Sequence, residues 1–457
     1  MAFESINPAS GATLGRFEEM SSGAVDVILE QAAAAQRGWA MTLFAERARL
    51  MLVLAARLRD NKADCARLMT QEMGKVYPQG IAEVEKCAWA CEYYAATAEA
   101  MLAPEEVATE AQHSFVVYKP LGVVLAIMPW NFPLWQVFRF AVPALMAGNG
   151  ALLKHAPNVF GCALLIERLF REAGFPEHLF RALLIGIPQA TQVIHDRRVA
   201  AVTITSSVNA GRAVAAEAGR ALKKCVLELG GSDPFIVLED ADIDRAVQVG
   251  ILARFQNSGQ SCIAAKRFIL VAAVYAEFEQ KFVAAVQQLK MGDPSQEGVY
   301  IGPLARVDLR DGLHDQVQRT LAAGARLLTG GVLPAGPGAF YPPTVLAGVE
   351  AGMPAWSEEL FGPVATLIRV QDEAAALQVA NGTDFGLGGA VWTRDLARGE
   401  RIAADGIQSG AAFVNDMSKS DPRLPFGGIR HSGYGRELSV HGLREFVNVH
   451  AVWVSAE

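Results

Sequence analysis

Short apolar runs alternating with helix-patterned segments predict an α/β protein with two parallel-sheet lobes and a small β flap. The first observation behind this is periodicity. The strand-like runs are apolar throughout, as in a sheet covered on both faces, rather than alternating with polar residues. The second is length, since 457 residues is about three times a ~150-residue domain. The third is composition: 51% hydrophobic against 19% charged residues supplies a large core and excludes a disordered polar chain.

From Gly23 to about Leu102 the pattern is helical. Leu50, Val53, Leu54 and Leu58 share one face, leaving Arg47, Arg49, Arg57 and Arg59 for the wet side. Pro78 and Pro104 punctuate this region. Residues 115–118 and 123–126 read as strands separated by Pro120 and Gly122. Further strands are expected at 151–153, 181–185, 200–204 and 225–227, with helices between them. A second series follows at 235–238, 268–271, 365–368, 389–391 and 412–414, so the lobes should join near Gly230 and Gly231. Residues 330–338 look like a surface excursion. At the end, Val447, Val449, Ala451 and Trp453 recur at period two. This strand either pairs with 115–118 as a flap between subunits or edges one lobe; the pattern leaves both open.

Lysine and arginine total 41 against 48 acidic residues, a net charge of −7 that gives no footprint for nucleic acid or an anionic membrane surface. No apolar stretch reaches the ~18 residues of a membrane span. The richest, 140–153, is broken by Pro143, Gly148, Asn149 and Gly150. The opening MAFESINPAS has no secretory pattern, and six scattered cysteines do not form a disulfide framework, so a cytoplasmic location is expected. Cys87 and Cys91 stand at helical spacing without a second ligand pair; they read as buried thiols, and no metal is expected.

Familiar phosphate signatures are missing: there is no P-loop, and Gly148-Asn149-Gly150 lacks the third glycine of a dinucleotide turn. Four other clusters carry unusual local sequence. Pro129-Trp130-Asn131-Phe132-Pro133 follows a strand, where open α/β sheets bind ligands, and Asn131 can offer a fixed amide donor; a rigid structural turn would look the same. Glu228-Leu229-Gly230-Gly231 puts a carboxylate at a strand end beside two glycines that allow close approach, although such a glutamate also serves as a hydrogen-bonded structural group. Asn257-Ser258-Gly259-Gln260-Ser261-Cys262 sets a thiol in a small polar loop, where neighbouring donors decide its reactivity. Glu358-Glu359-Leu360-Phe361-Gly362-Pro363 is the fourth, equally compatible with a solvated helix end.

In this order, from Asn7-Pro8-Ala9-Ser10-Gly11 through Lys154 to Phe426-Gly427-Gly428 and Ser432-Gly433-Tyr434-Gly435-Arg436-Glu437, the clusters make the chain resemble the aldehyde dehydrogenase superfamily nearly end to end. It looks most like a bacterial succinate-semialdehyde dehydrogenase branch. The resemblance implies a nucleotide-binding unit (1–111 and 121–230), a catalytic unit (231–435) and an oligomerisation flap (112–120 and 436–457) in a homodimer or homotetramer. It implies that Cys262 attacks an aldehyde, Asn131 and the Cys262 backbone N–H bind the oxyanion, and Glu228 activates water against the thioester. NAD or NADP would be held by Trp130, by Lys154 at the adenosine ribose, by Ser206 and Ser207 at the pyrophosphate, and by Glu359 and Phe361 at the nicotinamide end. Two departures bear on this. Ser206 replaces a glycine of many relatives, and Pro157 replaces an acid common in NAD-preferring ones, leaving NADP open. Arg139 and Arg423 are the candidate partners for a substrate carboxylate. The competing readings are a broad small-aldehyde dehydrogenase, a CoA-acylating relative (disfavoured by the hydrolytic base Glu228), a cofactor-independent cysteine esterase and a non-catalytic scaffold.

Overall fold

The computed structural model describes residues 2–456; Met1 and Glu457, the outermost positions of the expected units, lie outside the described residues. Residues 22–102 form four helices, Ser22–Ala40, Phe44–Asp60, Lys62–Met73 and Tyr77–Met101. Leu50, Leu54 and Leu58 are buried on the predicted face. Arg47 departs from expectation. It is buried, and it donates to the carbonyls of Met146, Trp39 and Ala40, while its guanidinium lies over the rings of Phe44 and Trp39. These acceptors are helix-end carbonyls that would otherwise lack donors, so an arginine satisfies them where an apolar side chain would not.

Two sheets organise the rest. The first has six strands in the order Gly433–Tyr434, Lys224–Glu228, Val199–Thr205, Val123–Met128, Gly150–His155 and Phe180–Ala182, all parallel except the first. The expected 181–185 strand is therefore shorter: after Leu183 donates to Leu153 the chain turns away into the helix Ile187–His195. Strand order reverses at Val123–Met128, which makes its carboxyl end a topological switch point and a natural crevice. The second sheet has seven strands: Arg326–Thr329, Thr344–Ala347, Val364–Val370, Ala265–Val271, Asp233–Val237, Ala390–Trp392 and Phe413–Val414. The first two of these were not foreseen, nor was the N-terminal hairpin of Ala2–Ile6 with Thr13–Glu18. Gly230 and Gly231 lie between the strand ending at Glu228 and the one opening at Asp233. A third, antiparallel sheet pairs Val447–Val454 with His113–Pro120, joined by the short Glu105–Glu106. No helix among the described residues is long and apolar enough to cross a membrane.

Replacing Arg47 by Met strips donors from buried carbonyls and is expected to cost roughly 2–4 kcal/mol. The exposed Arg57→Met should stay within about 0.5 kcal/mol. Comparative thermal unfolding of the two variants checks this; equal midpoints would contradict it.

Candidate functional site

The crevice at the switch point is shaped by helix starts. The helix Trp135–Met146 follows the Pro129–Pro133 turn, and its first N–H groups are already taken: Leu134 and Trp135 both donate to Glu83, at 2.9 Å each. Lys75 pairs with Glu83 beneath the turn, its ammonium 3.8 Å from the centre of the Phe132 ring. The start of Phe160–Glu172 is likewise filled, since Gly161 and Cys162 donate to buried Glu72. Val208–Arg220 carries no such carboxylate. Its N-cap Ser207 accepts from Ala210 through its own hydroxyl. Of the helix starts flanking the crevice, this one keeps its positive dipole end available to an anion.

Cys262 sits on a strained loop. Asn257 and Ser258 both have φ of 54° and Gly259 a φ of 73°, three successive left-handed residues. For the two that carry side chains this costs on the order of 1–3 kcal/mol each. Many contacts hold the loop: Gln79 accepts from Asn257 N, Ser258 bonds Gly302, and Gln260 accepts from Ala305 N. Fully buried Arg254 donates to the carbonyls of Gly259, Leu360, Gly362 and Val364, tying the thiol loop to the Glu358–Pro363 segment. A Cβ at Gly259 would collide with the Gly362 carbonyl oxygen. The two glycines after Glu228 serve similar close approaches: a Cβ at Gly230 would meet the Glu359 carboxylate, and one at Gly231 would lie 2.7 Å from the Cys262 carbonyl oxygen.

Two cavities meet at this thiol. One, of about 390 Å³, opens at the switch point between Trp130, Asn131, Ser206, Ser207, Glu359 and Phe361. The other, of about 370 Å³, runs between the helices Tyr77–Met101 and Trp135–Met146 and the 417–420 segment. Among the described residues, Cys262 is the one that lines both. Trp130 and Phe361 meet edge to face, ring centres 5.8 Å apart, across the first cavity. Asn131 Nδ2 donates to the Gln260 carbonyl at 3.2 Å. That spends one of its two N–H groups; the other, and the backbone N–H of Cys262, have no partner among the described residues. Burial pushes the Cys262 thiol up to about 11, opposed by the nearby charges of Arg139 and Lys266. Lys266 donates to the Ser261 and Cys262 carbonyls and lies 3.2 Å from Glu359, which also accepts from Gly231 N.

Glu228 is buried against Gly427, where a Cβ would stand 2.6 Å from its Oε1, and it lines neither cavity. Burial, then the neighbouring Glu437 charge, raise its pKa well above the usual carboxylate range, partly countered by Arg139 and Arg436. Its charge also raises the Cys262 thiol, so the two groups sense each other. Lys154, next to last in its strand, makes no side-chain hydrogen bond or ion pair among the described residues and lies outside the cavity wall that carries Ser206 and Ser207.

The two candidate substrate cations stand in different places. Arg139 reaches the second cavity, but its guanidinium pairs with buried Glu437, donates to Thr205 and stacks on Phe426. Its charge is shared with that carboxylate. Arg423 is exposed, pairs with Asp421 and lies over Trp89, away from that cavity wall. Sequence reading also missed Lys86, whose ammonium lines the cavity and donates to Ser420 at 2.7 Å. Inside a helical stretch nothing marks it except its position one turn after Glu83. Glu437 stood in the Gly435-Arg436-Glu437 motif without a role. Arg254 and Lys266 carried no signal.

Against known proteins, the aldehyde dehydrogenase family profile matches residues 1–452. The NAD(P)+ succinate semialdehyde dehydrogenase Sad of Escherichia coli K12 is 50% identical over 449 residues, 98% of this chain and 97% of that one. A probable NADP+ succinate-semialdehyde dehydrogenase of Synechocystis is 50% identical over 455 residues, the full length of both. The crystal structure of the Streptococcus pyogenes succinic semialdehyde dehydrogenase with NADP+ superposes with a TM-score of 0.97 at 36% identity, covering 99% of this chain and 100% of that one.

A thiol held near 11 is almost wholly protonated at neutral pH, and only thiolate is alkylated. Iodoacetamide labelling of Cys262 in the nucleotide-free protein should therefore rise about tenfold per pH unit between 7 and 10. A plateau near pH 8 would contradict this, read by peptide mass spectrometry with fully buried Cys87 as the unlabelled control.

Proposed function

The chain belongs to the aldehyde dehydrogenase family, and on that premise we propose that it oxidises succinate semialdehyde to succinate with NAD or NADP through a thioester on Cys262. The observation that carries the reading is the position of Cys262 as the one described residue on the wall of both cavities. The switch-point cavity suits the nucleotide: it lies at the strand ends, ends in a helix dipole with no carboxylate on it, and has aromatic walls. Trp130, Ser206, Ser207, Glu359 and Phe361 would hold it there. Lys154, without a carboxylate partner and followed by Pro157 instead of an acid, suits either nucleotide at the adenosine ribose. When bound, the nucleotide supplies the hydride acceptor.

The chain's own residues do the rest. Cys262 Sγ, as thiolate, adds to the aldehyde carbon. The free N–H of Asn131 and the Cys262 backbone N–H receive the oxygen as it becomes negative, each aimed donor contributing about 10²–10³ in rate. Lys266 and Arg139 supply the positive field that favours the thiolate. After oxidation the acyl group rests on sulfur, and Glu228 takes a proton from the water that releases it. A carboxyl raised by burial is a strong base once ionised, so deacylation should quicken with pH. The exposed edge of Val447–Val454, with Val449 and Trp453 outward, supports subunit pairing through the third sheet in a homodimer or homotetramer. A cytoplasmic enzyme agrees with six free cysteines.

Steady-state kinetics with succinate semialdehyde and butanal test the substrate class. The semialdehyde should lead in kcat/KM by about 10–100-fold, the range of a charge-assisted hydrogen bond. Equal values would point to a general small-aldehyde enzyme. Glu228→Gln should give a stopped-flow burst of one reduced nucleotide per subunit, followed by turnover at least about 10²-fold slower. Wild-type turnover in that variant would remove Glu228 from the water-activating step.

A further inference from the structure

We propose that Lys86, with the hydroxyl of Ser420, is the anion-holding end of the substrate cavity and sets the preference for a carboxylate-bearing aldehyde. The inference rests on the dehydrogenase reading above and names the group that makes it selective. It begins from a count of buried cations. Lys75 pairs with Glu83, Arg139 with Glu437 and Lys266 with Glu359. Arg47, Arg254 and Arg267 donate to backbone carbonyls. Lys86 has neither. Its ammonium donates to Ser420 Oγ and lies 4.4 Å from the centre of the Trp135 ring.

Ser420 makes this arrangement one-sided. Its oxygen accepts from Lys86 at 2.7 Å and from Trp135 Nε1 at 3.0 Å. With both lone pairs engaged, the hydroxyl hydrogen is left to donate. The ammonium keeps two further N–H groups. The cluster therefore presents donors and no acceptor, the complement of a carboxylate, and it lies on the same cavity wall as Cys262.

The carboxylates nearby do not fill the role. Glu83, one turn before Lys86 on its helix, is spent on Lys75 and two backbone N–H groups. Asp421 is held by Arg423. Arg139, from the helix opposite, and the thiol of Cys87 beside it also act on Lys86, and the two other lysines on this cavity wall, Lys75 and Lys419, are paired with Glu83 and Asp416. Burial and then Arg139 lower the ammonium to about 8. Because the ammonium is lost as pH rises through that value, a substrate anion binds best below it.

The test compares wild type, Lys86→Met and Lys86→Arg on succinate semialdehyde and butanal, with succinate as an inhibitor of butanal oxidation. In Lys86→Met the kcat/KM ratio of semialdehyde to butanal should fall about 10–100-fold, and the succinate inhibition constant should rise to match. Lys86→Arg, which keeps the charge, should restore most of the ratio. In wild type alone the ratio should decline above about pH 8, a readout that needs no variant to fold. An unchanged ratio and unchanged succinate inhibition in Lys86→Met would overturn the assignment while leaving the substrate class intact. Equal losses on both aldehydes would also overturn it, as a structural role. If wild type shows no preference for the semialdehyde but succinate inhibition still depends on Lys86, the substrate reading fails and the anion site stands.

Discussion

The left-handed path of residues 257–259 is the constraint on which the site depends. It brings Gly259 so close to Gly362 that no side chain fits between them, and it sets Cys262 where two cavities end. A backbone in that conformation does not hold itself. Arg254 over-determines it by binding carbonyls on both sides of the contact, and Lys266 fixes the Ser261 and Cys262 carbonyls from below. The same ties join the thiol to the segment bearing Glu359 and Phe361. Nucleophile and cofactor wall are thus one rigid unit.

Charge balance explains the rest of the site. Buried ions are costly unless compensated, and this interior compensates nearly all of them. Glu83 and Glu72 close two helix starts, leaving the Ser207 end for an anion. Glu437 pairs with Arg139, whose field reaches both Cys262 and Glu228. Glu228 is held as an acid by burial and by Glu437 beside it, ready to become a strong base when its surroundings change.

What the sequence revealed and what it withheld follow physical lines. Strands apolar on both faces, such as Val123–Met128 and the 268–271 part of Ala265–Val271, were readable because burial on both sides leaves an unbroken apolar run. Arg326–Thr329 was missed because it is a sheet edge, partly exposed and short. Motif residues such as Asn131, Cys262 and Glu359 could be located because glycine, proline and small polar neighbours mark tight turns. Arg47 and Lys86 could not, since an arginine or lysine within a helical pattern looks the same whether it faces water or a buried carbonyl. The pairing of Arg139 was hidden for a related reason: its partner Glu437 lies 298 positions away in the chain, and no local pattern connects them.

The central claim is that the carbonyl carbon becomes bonded to one sulfur during turnover. The direct measurement is rapid acid quench of the Glu228→Gln protein with succinate semialdehyde and nucleotide, followed by peptide mass spectrometry. The account predicts a succinyl increment on the peptide containing Cys262, present only when oxidised nucleotide is supplied. Its absence in samples that have demonstrably produced reduced nucleotide, or its presence on another cysteine, would contradict the account.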